Sequence, residues 1–156
     1  MAEVSETKAS GTLIRPVRQE DAADWRNLYR SYAAFYKLPM TDAILDETWS
    51  WLLDASRPLD ALVAVSGGKV VGLAHIRPQP KPLLGKNAGF LDDLFVDPAL
   101  RGQGVGRLLI ERVAAVARER NWVSVRWITA PDNATARRLY DDVAVATAWV
   151  TYELKP

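Results

Sequence analysis

The sequence predicts a single α/β domain in which a mixed β-sheet carries helices on its faces. The length of 156 residues suits one domain. In the first half, two apolar runs rich in β-branched residues are joined by Ser66-Gly67-Gly68-Lys69, a pattern typical of an antiparallel hairpin. In the second half, strand-like and helix-like segments alternate, which indicates a βαβ unit.

The first half is predicted to contain one strand, two amphipathic helices and the two hairpin strands. Both helices show apolar residues at three- and four-residue steps. The second is capped by Thr41 or Asp42 and stops at Arg57-Pro58. Prolines at positions 78, 80 and 82 predict a loop after the hairpin, because proline has no N–H for a strand ladder. The segments are residues 13–17 (strand), 19–37 (helix), the second helix between its cap and its stop, with apolar residues over 44–53, and 61–65 and 70–76 (strands).

The second half is predicted to alternate strands and helices, so that the whole order is β-α-α-β-β-β-α-β-α-β. Residues 1–11 are polar and are expected to be a disordered tail, which leaves 12–156 as one folded domain. No apolar run approaches the ~20 residues that span a bilayer, and the first residues lack an apolar leader, so we expect a cytoplasmic protein. The segments are residues 90–96, 105–120, 123–129, 133–142 and 149–154.

The composition excludes several kinds of site. The chain has no cysteine and one histidine, which rules out disulfides, thiol nucleophiles and cysteine-based zinc sites and makes a metal cofactor unexpected. The net charge of +1 does not favour nucleic-acid binding. Residues 41–60 are acidic and residues 100–126 are rich in arginine. Each block is either a solvated helix face or the neighbourhood of an oppositely charged ligand.

The most informative segment is the glycine-rich turn between the strand at 90–96 and the helix that follows. Gly102, Gly104 and Gly106 allow the backbone to approach a ligand, and the helix start offers unpaired N–H groups with a partial positive charge. Arg101 and Arg107 add charge, so a pyrophosphate suits this turn. The spacing matches neither the P-loop nor the dinucleotide-binding fingerprint.

Two motifs resemble those of the GCN5-related N-acetyltransferases (GNAT). The turn contains Arg101-x-x-Gly104-x-Gly106, like motif A of the family, and residues 133–140 contain Asn-x-x-Ala-x-x-x-Tyr, like its later helix. The order of elements is similar over nearly the whole chain, and residues 91–98 look most like the Hpa2-like branch and the diamine acetyltransferases. The resemblance implies a mostly antiparallel central sheet, acetyl-CoA as donor and no metal.

The same resemblance implies where acetyl-CoA binds. Two parallel strands, 90–96 and 123–129, are expected to splay apart around the thioester, with a strand N–H near Phe95 polarising its carbonyl. The first strand pairs with the pantetheine arm, and the glycine-rich turn holds the pyrophosphate. The residues expected to bind acetyl-CoA are Leu94, Phe95, Val96, Arg101, Gly102, Gln103, Gly104, Val105, Gly106, Arg107, Asn133, Ala136 and Tyr140.

Transfer to an amine requires a base, a donor to the carbonyl oxygen and an acid for the departing thiolate. Tyr140 is the candidate acid, since a phenol pKa of about 10 suits that role; its alternative role is helix packing. Asp92 is the candidate base, directly or through water, or else it only holds the cationic amine. Side chains alternate along a strand, so Asp92 and Asp93 are expected on opposite faces, with Asp93 structural. His75 is a second candidate base, for which a packing role is favoured.

The expected activity is direct transfer of an acetyl group to a small-molecule primary amine: a polyamine, an amino acid or a related metabolite. No acyl-enzyme is expected, because cysteine is absent. The alternatives are a protein or peptide acetyltransferase and a non-catalytic acyl-CoA sensor. Ala148-Trp149 stand where many relatives have Gly-Phe, and an exposed last strand favours a homodimer. Aromatic residues of the first two helices pack the core or line the acceptor site; they are Trp25, Tyr29, Tyr32, Tyr36, Trp49 and Trp51.

Overall fold

A six-stranded β-sheet organises the part of the chain that the computed structural model describes, residues 7–9 and 11–156. The strands are β1 Thr7–Ala9, β2 Thr12–Pro16, β3 Asp60–Ser66, β4 Lys69–Lys81, β5 Lys86–Val96 and β6 Val125–Arg126. They lie in that order across the sheet, and all neighbours are antiparallel except β5 and β6. The helices are α1 Ala22–Phe35, α2 Asp42–Leu53, α3 Val105–Glu119 and α4 Ala134–Val143.

Helices cover both faces of this mostly antiparallel sheet, which confirms the predicted fold class. Side chains alternate along a strand, so Leu62 and Ala64 lie on the α3 face, whereas Val63 lies on the face covered by α1 and α2. None of the helices in the described residues has the length and apolarity of a membrane span. The α3 core contains Ile14, Leu62, Ala64, Val71, Ala74, Ile76, Leu91, Val105, Leu109, Val113 and Val116; the α1/α2 core contains Trp25, Leu28, Leu45, Trp49, Val63, Val70, Leu73 and Phe95.

The proline-rich stretch after the hairpin belongs to the sheet, and the prediction of a loop there is wrong. β4 continues through Pro78 and Pro80 and stays paired with β5 as far as Lys81. β3 ends opposite Ile76, so beyond that point β4 has a neighbour on one side only. Successive backbone groups in a strand point to alternate sides. The nitrogen atoms of Pro78 and Pro80, which carry no hydrogen, point to the side of β4 that has no neighbouring strand, so neither proline removes a hydrogen bond with β5.

Both ends of the chain depart from the prediction. Thr7–Ala9, expected in a disordered tail, forms a strand and pairs with β2. Residues 1–6 and 10 of the predicted tail lie outside the described residues. At the other end, residues 149–154 do not form the expected strand. A strand needs a partner edge as well as suitable residues, and within the described chain no edge pairs with this segment.

β5 and β6 are parallel neighbours over two residue pairs and then separate. β5 continues to Val96 beside β4, whereas the chain leaves β6 after Arg126. The strand predicted over 123–129 is therefore confined to two residues. The result is a V-shaped opening, with the unpaired edge of β5 on one side and residues 127–130 on the other. The two pairs are Gly89–Val125 and Phe90–Arg126.

Trp122 closes the base of the V-shaped opening. Its ring lies against the backbone of Gly89, where an added Cβ would come within 2.3 Å of ring carbon Cε3. We predict that Gly89→Ala displaces the ring, weakens the β5–β6 pairing and lowers the free energy of unfolding by roughly 1–3 kcal/mol, measured by urea denaturation.

Ser124→Ala is the matched control for that prediction. The Ser124 side chain is exposed, and its backbone oxygen, which accepts a 2.8 Å hydrogen bond from the Gly89 N–H, is unchanged by the substitution. We expect an effect within about 0.5 kcal/mol for this control. Wild-type stability of Gly89→Ala would contradict the role given to the Trp122 ring.

Candidate active site

A β-bulge in β5 places two carboxylates on one face of the sheet. In β4, His75 pairs with Asp93 but the next residue pairs with Leu91, so Asp92 is an extra residue in β5. Leu91 and Leu94, three residues apart, consequently both pack on the α3 face. Asp92 and Asp93 share the opposite face and line the same cavities. The prediction that they point to opposite faces is wrong, because strict alternation fails at a bulge.

His75 is buried, and two neighbours fix the position of its proton. The Trp25 Nε1–H donates to His75 Nε2 at 3.0 Å. An indole nitrogen only donates, so Nε2 carries the lone pair and the ring proton lies on Nδ1. Nδ1 donates in turn to Asp93 Oδ2 at 2.8 Å. Because its only lone pair accepts from Trp25, His75 is not available as a base and instead positions Asp93.

Asp93 is a buried carboxylate that several donors hold in its charged form. The Tyr29 hydroxyl donates to Asp93 Oδ2 at 3.0 Å, next to the bond from His75. Burial by itself raises the pKa of Asp93, but the hydrogen bonds from His75, Tyr29 and Tyr32 outweigh it and hold the pKa below its ordinary value. Burial, together with this nearby carboxylate, raises the pKa of both tyrosines. Asp93 therefore keeps a negative charge where a cation can approach.

Asp92 forms an ion pair with Arg77 on the same face. Its Oδ2 accepts from Arg77 Nε at 2.8 Å, and the Arg77 guanidinium lies 4.8 Å from the centre of the Phe90 ring. The other oxygen, Oδ1, has no hydrogen-bond partner within the described residues. The carboxylate is also partly exposed, so it can accept a hydrogen bond from an amine or a water.

Two cavities meet at this carboxylate pair. The arginine cavity, about 500 Å³, lies between β4, α2 and the segment after α2. The aromatic cavity, about 590 Å³, lies between α1, the α1–α2 connection and residues 128–130 across the V-shaped opening. Both are lined by Tyr29, Asp92 and Asp93. The arginine cavity adds Thr48, Trp51, Arg57, Pro58, Leu59, His75 and Arg77; the aromatic cavity adds Tyr32, Ala33, Tyr36, Leu38, Pro39, Met40, Ile44, Ile128, Thr129 and Ala130.

The free edge of β5 presents backbone donors to the V-shaped opening. The Asp97 N–H donates to the Val71 oxygen in β4 at 2.8 Å. Backbone N–H groups point to alternate sides along a strand. The Phe95 N–H therefore also points towards β4, whereas the N–H groups of Leu94 and Val96 point into the opening. The N–H groups of these two residues have no acceptor within the described chain. Phe95, expected to pair with a ligand, instead uses its backbone in the sheet and its side chain in the α1/α2 core.

The glycine-rich turn presents six consecutive backbone N–H groups without partners. The backbone N–H groups of residues 102–107 donate no hydrogen bond within the described chain, and the first bond at the start of α3 runs from the Leu108 N–H to the Gly104 oxygen. Gly102 and Gly104 have φ of +79° and +81°, which glycine adopts at little cost. A Cβ at either would meet no protein atom within 4 Å. Backbone conformation, and not a clash inside the protein, therefore requires glycine here.

Side chains near the turn are largely engaged within the protein. Arg107 forms an ion pair with Asp142 of α4, and the Arg101 guanidinium lies 5.3 Å from the ring centres of both Phe35 and Phe95. The groups that this turn leaves available to an anion are consequently mainly backbone N–H groups at the positive end of α3. Of the other predicted residues, Gln103 is exposed, Val105 is buried, Gly106 packs beside Leu139 and Ala136 is half-buried in α4.

α4 brings Asn133 and Tyr140 to the V-shaped opening. Asn133 Nδ2 donates to Thr129 Oγ1 at 3.1 Å, which links the start of α4 to the wall of the opening. The Tyr140 ring meets the Trp127 ring edge-on, with centroids 5.4 Å apart. Burial raises the pKa of Tyr140 to about 12, and the nearby Tyr36 adds to the shift. The Tyr140 hydroxyl, which has no hydrogen-bond partner in the described residues, thus stays protonated as a potential donor.

Comparison with known proteins decides the family. The model of the acetyltransferase (GNAT) family matches residues 22–143, a range that includes both motifs, the bulge and the V-shaped opening. The chain belongs to this GNAT family. The resemblance inferred from the two motifs is thereby confirmed.

Relatives of the GNAT chain include several named N-acetyltransferases. The D-amino-acid N-acetyltransferase HPA3 of Saccharomyces cerevisiae is 29% identical over 143 residues, 90% of this chain and 89% of its own. The aminoglycoside N(6')-acetyltransferase type 1 of Stenotrophomonas maltophilia is 32% identical over 114 residues, 71% of each chain. A solved structure, the ribosomal-protein-alanine N-acetyltransferase of Brucella melitensis biovar Abortus 2308, is 28% identical, with a TM-score of 0.76 over 92% of this chain and 98% of its own.

The two charged blocks of this GNAT domain are mostly ion-paired surfaces. Acids of α2 pair with arginines of α1. Apart from Arg107, which pairs with Asp142 of α4, arginines in and after α3 pair with acids of the same helix or of β3. The negative charge available to a ligand therefore comes from Asp92 and Asp93 and not from the acidic block. No group of three His, Asp or Glu side chains in the described residues is arranged to hold a metal. The pairs are Arg26–Asp46, Arg30–Asp42, Arg112–Glu119 and Arg120–Asp60.

Several residues of the site were not identified from the sequence. The sequence places Arg57 only in the acidic block and at a helix stop, gives no signal for Arg77 and predicts a structural role for Asp93. The prediction for Asp93 failed because the bulge is not visible in the sequence. Arg57 and Arg77 reach the cavity only through tertiary packing. The aromatic residues divide between the two expected roles: Trp25 and Trp49 lie in the core, whereas Tyr29, Tyr32, Tyr36 and Trp51 line the cavities.

Proposed function

We propose that this chain transfers an acetyl group from acetyl-CoA to a primary amine of a small molecule, directly and in a ternary complex. The observation that carries the proposal is the position of Asp92 and Asp93 beside the free edge of β5. The carboxylates attract a cationic amine, and free N–H groups on the same strand stabilise an oxygen that gains negative charge. D-Amino acids and aminoglycosides, named for two of the relatives, both carry primary amines.

The donor side of the site suits acetyl-CoA. The N–H groups of residues 102–107 hold the diphosphate at the positive end of α3. The pantetheine arm, which contains amides, lies along β5 and pairs with Leu94 and Val96 as an added strand does. Asn133 and Ala136 border this arm. The thioester then lies in the V-shaped opening, close to the bulge.

The transfer needs two protons to leave the nitrogen of the ammonium, one before attack and one after it, and one proton to reach the sulfur. An alkylammonium has a pKa of about 10.4 and must be deprotonated before it attacks. Asp92 holds the ammonium and accepts its proton, directly or through water. The nitrogen bonds to the thioester carbonyl carbon and gives its second proton to water, the Leu94 or Val96 N–H stabilises the oxygen, and the C–S bond breaks. Tyr140 donates a proton to the departing sulfur and regains one from water.

Release of free thiol from acetyl-CoA tests this proposal. We expect release with at least one small amine from a panel of amino acids, diamines and aminoglycosides, and slower release with a lysine-containing peptide. Tyr140→Phe should lower kcat about 10–100-fold with little change in KM for acetyl-CoA, because the phenol acts on the departing sulfur. Tyr152→Phe, at an exposed tyrosine outside the opening, is the control and should keep the wild-type kcat.

Three results would contradict parts of this assignment. An unchanged kcat in Tyr140→Phe would remove the phenol from the reaction. Coenzyme binding without thiol release for any acceptor would indicate an acyl-CoA sensor. Release with the peptide alone would indicate a protein or peptide acetyltransferase.

Two matched glycines test the backbone site for the diphosphate. Gly104 precedes α3 with φ of +81°, and Gly68 lies in the β3–β4 hairpin with φ of +79°; neither has a protein atom within 4 Å of an added Cβ. Alanine adds the same backbone strain at both positions, about 1–2 kcal/mol. We predict that Gly104→Ala lowers the affinity for CoA about tenfold in calorimetry, since its Cβ enters the space of the diphosphate, whereas Gly68→Ala binds normally. Equal affinities would place the diphosphate elsewhere.

We also propose that the chain forms a homodimer through residues 145–154. Trp149 and Tyr152 are 78% and 91% exposed, and the segment has the composition of a strand but pairs with no strand within the described chain. A second copy supplies such an edge, because β6 pairs with β5 alone and its other side is free. Pairing between copies would cover both the apolar side chains and the backbone of the segment.

Sedimentation at micromolar concentration tests the dimer. We expect the wild-type chain to have the mass of two copies and the double variant Trp149→Ser, Tyr152→Ser to shift towards one copy, because it removes the apolar surface that association buries. Leu83→Ser, at an equally exposed apolar residue outside the segment, should stay dimeric. A monomeric wild-type protein would overturn this part of the proposal.

A further inference from the structure

The arginine cavity carries one unpaired charge of each sign. On the β5 side, Asp92 and Arg77 neutralise each other in an ion pair, so Asp93 is the remaining negative group. On the side formed by the segment after α2, Arg57 is the positive group. The exposed Asp54 carboxylate interacts with it electrostatically, but no carboxylate forms an ion pair with it within the described residues. The cavity as a whole is therefore close to neutral but strongly dipolar.

Arg57 is held in place at the cavity by an aromatic ring and a turn. Its guanidinium carbon lies 4.7 Å from the centre of the Trp51 ring, and Trp51 Nε1 donates to Glu47 Oε1 at 2.7 Å, which fixes the ring. The backbone N–H of Arg57 donates to the backbone oxygen of Asp54 at 3.0 Å. The backbone oxygen of Arg57 accepts from the backbone N–H of Leu59 at 2.8 Å. A guanidinium stacked in this way keeps its N–H donors free for an anion.

Arg77 adds further donors to the same cavity. Asp92 accepts from its Nε only. The two terminal nitrogens, Nη1 and Nη2, donate no hydrogen bond within the described residues. The planar guanidinium group of arginine matches the geometry of a carboxylate and binds it through two parallel N–H donors. Arg57 and Arg77 together therefore offer the donors that a single carboxylate needs.

On the basis of the acetyl-transfer function proposed above, we propose that the acceptor is an amino acid that binds as a zwitterion in the arginine cavity. Its ammonium group lies at Asp92 and Asp93, next to the thioester, and its carboxylate is bound by Arg57 with help from Arg77. Each charged group of the ligand meets the opposite charge of the cavity. The apolar surfaces of Pro58, Leu59 and Trp51 are left for the amino-acid side chain.

The same charges disfavour polyamines. A diamine whose first ammonium lies at Asp93 brings its second cation into a cavity whose remaining unpaired charge is the guanidinium of Arg57. Like charges in a partly desolvated cavity repel each other, and no further unpaired carboxylate lines this wall. The structure thus distinguishes between two of the acceptor classes that the sequence left open.

The test compares an amino acid with amines that lack its carboxylate. The acceptors are both enantiomers of phenylalanine, the corresponding amides, phenethylamine and 1,5-diaminopentane, assayed with wild type and Arg57→Gln. We expect the ratio of kcat/KM for the amino acid over its amide to fall about tenfold in Arg57→Gln, since the charge-assisted hydrogen bonds to the carboxylate are lost. Comparing this ratio between variants cancels the different basicities of the two amines. The diamine should react about two- to threefold faster with Arg57→Gln than with wild type.

Arg118→Gln is the matched control, because Arg118 is exposed on α3, on the opposite side of the sheet, and its substitution removes the same charge. It should keep the wild-type ratio. Calorimetry of phenylalanine and its amide with CoA-saturated protein measures the carboxylate contact without turnover. If the ratio and the binding are the same in wild type and Arg57→Gln, the amino-acid proposal is overturned. If the amino acid binds through Arg57 but no amine releases thiol, acetyl transfer fails while the binding site stands.

Discussion

The single extra residue in β5 at Asp92 is the constraint on which the arrangement of this site depends. Before the bulge, Leu91 packs on the α3 face; after it, Leu94 does the same, although strict alternation would send one of them to the other side. The bulge removes this conflict by placing two consecutive carboxylates on the α1/α2 face. One strand therefore supplies core packing, two anionic side chains and, a few residues later, free backbone donors to the V-shaped opening.

Such a concentration of negative charge is stable only because its surroundings are arranged for it. Moving a carboxylate out of water is unfavourable unless donors replace the lost solvation. Asp93 receives hydrogen bonds from His75 and Tyr29, and His75 itself is oriented by the Trp25 indole. This chain of contacts joins α1, β4 and β5, so the orientation of Asp93 is set when the helix packs on the sheet. The site is then preorganised, and little rearrangement is needed when a cation arrives.

The parts of this molecule that could be predicted from sequence are those set by local pattern. Amphipathic periodicity predicts the helices, and Gly102 and Gly104 predict the turn before α3 because both adopt left-handed φ values. Prediction failed where pairing partners decide the outcome. Pro78 and Pro80 belong to a strand because one side of it has no neighbour, and residues 149–154 form none because they pair with no strand of the described chain. The bulge at Asp92 is likewise visible only in the register with β4.

The two halves of the site use different physical means, and this difference affects how each can change. In the function proposed here, the donor half binds through backbone groups, whose positions follow from a turn and a helix start, so most side-chain substitutions there leave it intact. The acceptor half consists of side chains from α1, α2, β4, β5 and the segment after α2, and one replacement at a position such as Arg57 changes the charge balance of a cavity without disturbing the core. A family built in this way can keep one coenzyme site while its acceptors diverge, which agrees with relatives of about 30% identity that are named for amines as different as D-amino acids and aminoglycosides.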